Sequence, residues 1–150
     1  MSDMQIVVFD LINELCGVET DQVSEIVKYQ EVTRVPEMPE FIEGIINLRG
    51  HVAPIINLNR RFHLGQSDAE KNTKIIITSI DGQQVGFVVD NVSEIVRLSM
   101  QDTEETPDLI RKWGKKYIKY VAKIKGKLVN IIDLQGILTE EELEHISIIS

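Results

Sequence analysis

A single cysteine, Cys16, leaves this chain unable to close a disulfide on itself, and nothing in it suggests secretion. Cys16 sits in an apolar stretch just before Gly17 and reads as a small core residue rather than a nucleophile. No apolar run approaches the roughly 20 residues needed to span a bilayer. No basic segment followed by an apolar one marks a signal peptide. These absences lead us to expect a cytoplasmic protein with no membrane insertion. The sequence also lacks GxSxG, HExxH, CxxC and any Gly-rich phosphate loop. Its three histidines, His51, His63 and His145, have no spacing that suits a metal or a triad, and they read as surface or loop residues. Glu140-Glu141-Glu142 marks a helix start, where acids favour the dipole, and no other acids stand out as a hydrolytic couple. The expectation is a binding module, not an enzyme, with no cofactor and no metal.

Charge narrows the class of partner. With 16 basic and 24 acidic residues the formal charge is −8, which favours solubility and argues against a polyanionic ligand. The exception is the segment 111–127, which holds Arg111, Lys112, Lys115, Lys116, Lys119, Lys123, Lys125 and Lys127 and no acid. Trp113, Tyr117 and Tyr120 interleave with these lysines, so a single-stranded nucleic-acid-binding β-barrel module is the alternative reading. A solvated strand face explains the same alternation. At 150 residues the chain can bury about 70% of its unfolded surface, enough for a core without staples.

What the sequence does contain is a repeat. Gly17, Asp21 and Val23-Ser24-Glu25-Ile26-Val27 recur as Gly86, Asp90 and Val92-Ser93-Glu94-Ile95-Val96, a shift of 69. At the same shift Ile6-Val7-Val8 meets Ile75-Ile76-Ile77. Gly50 to Leu58 is echoed by Gly126 to Leu134 at a shift of 76, so seven residues (76 − 69) are inserted between the echoes in the second copy. A module written twice sets the architecture before any motif does. We expect subdomains 1–68 and 69–138, with strand exchange between them left open, and a C-terminal helix and tail over 139–150.

Within each copy the pattern is that of short strands. Residues 5–11, 15–18 and 22–29 read as strands, followed by an irregular loop over 32–41 because Pro36 and Pro39 cannot donate to a ladder. The run from Gly44 to Ile56 is an apolar hairpin with a tight turn at Asn47-Leu48-Arg49-Gly50, and Pro54 suggests an edge or a bulge. Asn57 is placed to cap a helical turn. The second copy offers strands over 74–80, 84–89, 91–98 and 118–124, then the hairpin echo. Residues 99–108 read as an acidic loop and 107–113 as a short helix. Thr139 with Glu142 has the capping-box spacing. About five strands per copy can close a small barrel, so the expected fold is mainly β: two five-stranded barrels side by side with short helices.

One pair of residues stands out. Glu25 lies between Val23 and Val27 on an apolar face and needs a partner, and Arg49 stands in the hairpin of the same copy. The duplication puts Glu94 and Lys125 at the matching positions. We expect a cross-strand acid–base pair in each copy, with Glu25 and Arg49 partly buried. If the Glu25–Arg49 pair is substantially buried, breaking one side costs on the order of 3 kcal/mol.

The stretches GVETDQVSEIV, FIEGIINLRGHVAPIINLNRRF, VGFVVDNVSEIV and VNIIDLQGIL together resemble the CheW-like family of bacterial chemotaxis coupling proteins. The resemblance implies two linked five-stranded SH3-like barrels and no catalytic activity. It implies a scaffold in signal transduction that works by protein–protein interaction. Its partners would be the cytoplasmic tip of chemoreceptors and the regulatory domain of the histidine kinase CheA. By the same resemblance, receptor coupling falls on Glu25, Ile26 and Arg49, with Gly50 shaping the turn. Kinase binding would draw on Val27, Ile42 and Ile45. Cys16 departs from the aromatic residue common before this glycine in the family. The kinase carries a domain of this fold, but Met1 and an end soon after a capped helix lead us to expect a free-standing coupler.

Overall fold

Strands β1 (Met4–Leu11) and β6 (Lys74–Ile80) are apolar along both faces, and each serves two cores at once. Ile6 and Val8 point into one barrel while Val7 and Phe9 point between the barrels, all at most 2% exposed. Alternating side chains on a pleated strand make such double use possible. The computed structural model describes residues 3–12, 14–65, 71–105 and 117–149. The expected turn at Asn13, part of the linker over 65–72 and the helix over 107–113 fall wholly or partly outside the described residues.

The remaining strands are β2 (Glu14–Glu19), β3 (Glu25–Lys28), β4 (Ile42–Leu48), β5 (His51–Asn57), β7 (Gln83–Val89), β8 (Asn91–Leu98), β9 (Thr103–Glu105), β10 (Ile118–Ile124) and β11 (Lys127–Ile132). They form two sheets, ordered β3-β6-β7-β5-β4 and β8-β1-β2-β11-β10-β9. We refer to these as the first and second barrels. Neither sheet follows the sequence halves 1–68 and 69–138. The first takes β3, β4 and β5 from the first copy and β6 and β7 from the second, while the second takes β1 and β2 from the first copy and β8, β9, β10 and β11 from the second, so strands cross between the copies. Register repeats with the same offsets. Val8 pairs Glu94 as Ile77 pairs Glu25, and Ile131 pairs Gly17 as Ile55 pairs Gly86.

Three apolar clusters result. Ile46, Ala53, Ile55, Ile75, Ile77 and Val88 fill the first barrel, and Ile6, Val8, Leu98, Ala122, Ile124, Val129 and Ile131 fill the second. The third and largest, around Phe9, Phe87, Ile56 and Ile132, lies between them and includes Cys16 at 4% exposed. The two repeat glycines serve these cores directly. A Cβ on Gly17 would lie 2.7 Å from Ile6, and one on Gly86 would lie 2.6 Å from Ile55 and 2.7 Å from Ile75.

Several local expectations are refined. The strand expected over 22–29 is shorter, because a 3-10 turn occupies Thr20–Gln22. Pro54 does not sit on an edge strand: β5 lies between β4 and β7, and β7 joins it only from Ile55 onward. The missing N–H of Pro54 therefore disrupts no ladder on that side. The acidic loop contains a strand, β9, which adds a sixth member to the second sheet. Helix α1 spans only Leu58–Arg61, with Asn57 accepting from the Arg60 amide at 3.2 Å. Helix α2 (Glu140–Ile149) opens on a complete capping box, Thr139 N–H donating to Glu142 at 2.8 Å and Glu142 N–H to Thr139 Oγ1 at 3.1 Å.

Candidate protein-docking site

The sequence β4–Arg49–Gly50–β5 folds as a hairpin because its two turn residues both take the left-handed region, φ +50° at Arg49 and +85° at Gly50. A two-residue turn of that hand matches the twist of the strands it joins. Asn47 helps by accepting the Gly50 amide at 2.9 Å. The turn throws the Arg49 side chain off the tip of the hairpin, towards the other end of the same sheet. There it meets Glu25 on edge strand β3, Nη1 to Oε2 at 2.6 Å. The expected pair therefore forms, and it fastens one edge of the first barrel to the hairpin at the other edge.

Its burial is one-sided. Glu25 is 23% exposed but Arg49 is 75% exposed. Water screens such a pair, and its contribution to stability falls to about 0.2–1 kcal/mol, below the 3 kcal/mol of a buried one. The second barrel repeats the pair: Lys125 and Gly126 take the same turn, φ +51° and +78°, and Lys125 Nζ meets Glu94 at 2.7 Å.

The other candidate residues divide. Ile26 is half-buried with its side chain against the central cluster, and Gly50 is exposed at the turn with no atom near where a Cβ would stand. Val27 is half-buried against the interior of the first barrel and Ile45 is half-buried. Ile42 is 7% exposed and belongs to the central cluster, so it supports the fold and presents nothing to a partner. Strand β4 turns it inward, which alternation over so short a strand did not reveal. Sequence reasoning missed Val52, 43% exposed beside the Arg49 turn, and its counterpart Leu128, 64% exposed beside Lys125. The hairpin echo pairs these two residues and was the signal that could have found them. Ile95, at the position equivalent to Ile26, is 60% exposed.

The basic stretch does not form a base-stacking platform among the described residues. Tyr117 stacks on Phe62, ring centroids 4.3 Å apart, and Tyr120 donates to Glu19 at 2.8 Å. Lys119 donates to the same carboxylate at 2.7 Å. Burial works to raise the Glu19 pKa, but these two hydrogen bonds and the lysine charge outweigh it and hold it below its ordinary value. Lys119 is raised, chiefly by its bond to Glu19. Trp113 lies outside the described residues. Among the described residues no group of His, Cys, Asp or Glu could hold a metal, and no helix is long and apolar enough to cross a membrane.

Comparison with known proteins agrees with this geometry. Residues 5–142 match the family model of the CheW-like domain. The chain is 31% identical over 147 residues to the Chemotaxis protein CheW of Treponema pallidum, covering 95% of this chain and 86% of that protein. It is 32% identical over 137 residues to that of Bacillus subtilis, covering 91% and 88%. Among solved structures, the scaffolding protein TtCheW of Thermoanaerobacter tengcongensis superposes with a TM-score of 0.84 at 38% identity, covering 93% of this chain and 90% of that one. The chain belongs to the CheW-like family, and its two sheets are the paired SH3-like barrels of that fold.

Proposed function

We propose that this CheW-like chain is a non-catalytic chemotaxis scaffold that couples chemoreceptors to the histidine kinase CheA. Family membership over nearly the whole chain carries the reading. The geometry supplies a mechanism that needs no reactive group. Two barrels fixed against one apolar cluster hold two partners at a set distance, and local concentration and orientation do the coupling.

Within that reading, Glu25, Ile26, Arg49 and Gly50 form the receptor-coupling face, which would meet the cytoplasmic tip of the receptor. Val27 and Ile45 contribute to a separate face for the kinase's regulatory domain. Both events take place in the cytoplasm. The exposed guanidinium of Arg49, oriented by Glu25, supports the receptor assignment, since a pre-aimed charge loses little freedom on binding. The test is co-sedimentation with a receptor cytoplasmic fragment and, separately, with the kinase regulatory domain. Arg49→Ala and Glu25→Ala are expected to lose receptor and keep kinase. Retention of receptor at wild-type levels by both variants would overturn the assignment of the face.

A further inference from the structure

Both hairpins carry a β-bulge at the same place, and in both the bulged residue is charged. In β4, Ile42 pairs Ile56 and Gly44 pairs Ile55, which leaves Glu43 unpaired between them. In β10, Ile118 pairs Ile132 and Tyr120 pairs Ile131, which leaves Lys119. A bulge re-aims its extra side chain, and the two barrels aim it differently. Lys119 reaches Glu19 at the end of β2, an inner strand of its sheet. Glu43 instead reaches Tyr29, the residue that follows edge strand β3.

The Glu43 carboxylate is held at both oxygens. Tyr29 donates its hydroxyl to Oε2 at 2.5 Å and Asn57 donates Nδ2 to Oε1 at 3.0 Å. Asn57 is itself fixed, 7% exposed, with Oδ1 capping α1 and its own amide on the Phe41 carbonyl at 2.8 Å. Burial, then the bond to Glu43, push the Tyr29 hydroxyl up to about 12, so it stays protonated as a donor at neutral pH. The loop after β3 also bonds β4, through paired Thr33 and Ile45 backbone groups at 2.9 and 2.8 Å. Gly44, at φ +149°, permits that approach: a Cβ there would stand 2.1 Å from the Thr33 carbonyl oxygen.

Strand β3 is thus tied to the β4–β5 hairpin at two separated points. One is the exposed Glu25–Arg49 pair at the hairpin tip, the other the sheltered Tyr29–Glu43–Asn57 set at its root. We infer that Tyr29 and Glu43 are positioning residues for receptor coupling: by locking the root of the hairpin to edge strand β3, they set where Arg49 and Glu25 stand relative to each other. The inference rests on the receptor face proposed above. Among the described residues the bulged Lys119 makes no hydrogen bond to edge strand β8; in the second barrel the chain after β8 is instead joined to the hairpin through the β9–β10 ladder.

The experiment is a double-mutant cycle read as affinity for a soluble chemoreceptor cytoplasmic fragment, on the full chain, with Tyr29→Phe, Glu43→Gln and Arg49→Ala. Tyr29→Phe keeps the ring against the barrel interior and removes one donor. It is expected to weaken receptor binding about tenfold, with binding to the kinase regulatory domain unchanged. In the Arg49→Ala background, Tyr29→Phe is expected to weaken receptor binding no further, because its route of action is already gone. Glu43→Gln should behave as Tyr29→Phe does. Lys119→Ala, at the equivalent bulge, should leave receptor binding unchanged. Additive losses from Tyr29→Phe and Arg49→Ala, or equal losses of receptor and kinase binding, would show a general loosening and overturn the inference. So would normal receptor binding by Tyr29→Phe and Glu43→Gln while Arg49→Ala loses it. If Arg49→Ala alone binds receptor normally, the proposed face itself falls and takes this inference with it.

Discussion

The first barrel carries Glu43 at the bulge of its hairpin and Gly44 next to it; the second carries Lys119 and Tyr120 at the same two places. From these substitutions much of the asymmetry between the halves follows. Gly44 lets the loop at Thr33 close on β4 through one residue pair. At Tyr120 the chain instead adds a three-residue strand, β9, and turns the phenol to Glu19 and the Met4 sulfur. Both barrels then fasten hairpin tip to edge strand with the same acid and an equivalent base. The two copies share the core and the clasp, and at the bulge they differ. One copy put a carboxylate there and tied the root of its clasp, and the other put a lysine there and tied a different strand.

The equivalence of the cores can be broken most sharply at the two repeat glycines. Gly17→Val and Gly86→Val each force branched atoms into isoleucine side chains already within 2.8 Å of a Cβ. Each should destabilise by about 3 kcal/mol, and by similar amounts, as read from denaturant midpoints. A large loss at one glycine only would mean that the barrels are not packed alike. Next in size come Ile56→Ala and Ile132→Ala, equivalent residues in the central cluster, each expected to cost about 3 kcal/mol or somewhat less with partial collapse.

Smaller effects separate the clasps from the cores. Glu25→Gln and Glu94→Gln should each lower stability by about 0.5 kcal/mol, and by less in high salt, because their basic partners are exposed. Receptor affinity should nevertheless fall for Glu25→Gln and not for Glu94→Gln. Acid titration addresses the second bulge, through Glu19. The Glu19 carboxyl is depressed in the folded state, so its stabilisation is present above the ordinary carboxylate pKa and is lost as pH falls through the depressed folded value. Glu19→Gln should remove that part of the acid dependence, seen as a flatter melting-temperature profile at low pH. Lys119 works in the opposite direction: its raised pKa gives stability that is present below the unfolded value and lost as pH rises through the folded one.

Strand existence, the hairpin turns, the Asn57 and Thr139 caps and both acid–base pairs were legible in one dimension, because each depends on residues whose spacing the backbone fixes locally. The repeat extended this reach: it linked Glu25 to Arg49 and Glu94 to Lys125 across 24 and 31 positions. The burial of Ile42 and Arg49 escaped it. Strand alternation assigns faces but does not say which face meets a second barrel, and a turn residue's exposure depends on what lies beyond the tip. The β9 strand was hidden because a three-residue edge carries too few residues to show a period.

Along the chain alone one can read a small sheet motif present twice, a matched acid and base in each copy, and the likeness to the CheW-like family. Which strands share a sheet is settled by the folded arrangement. Identical modules can pair within a copy or between copies with the same local hydrogen bonds and the same apolar patterns. The choice between them rests on long-range packing around the central cluster, where side chains from both copies meet, and no local preference encodes that.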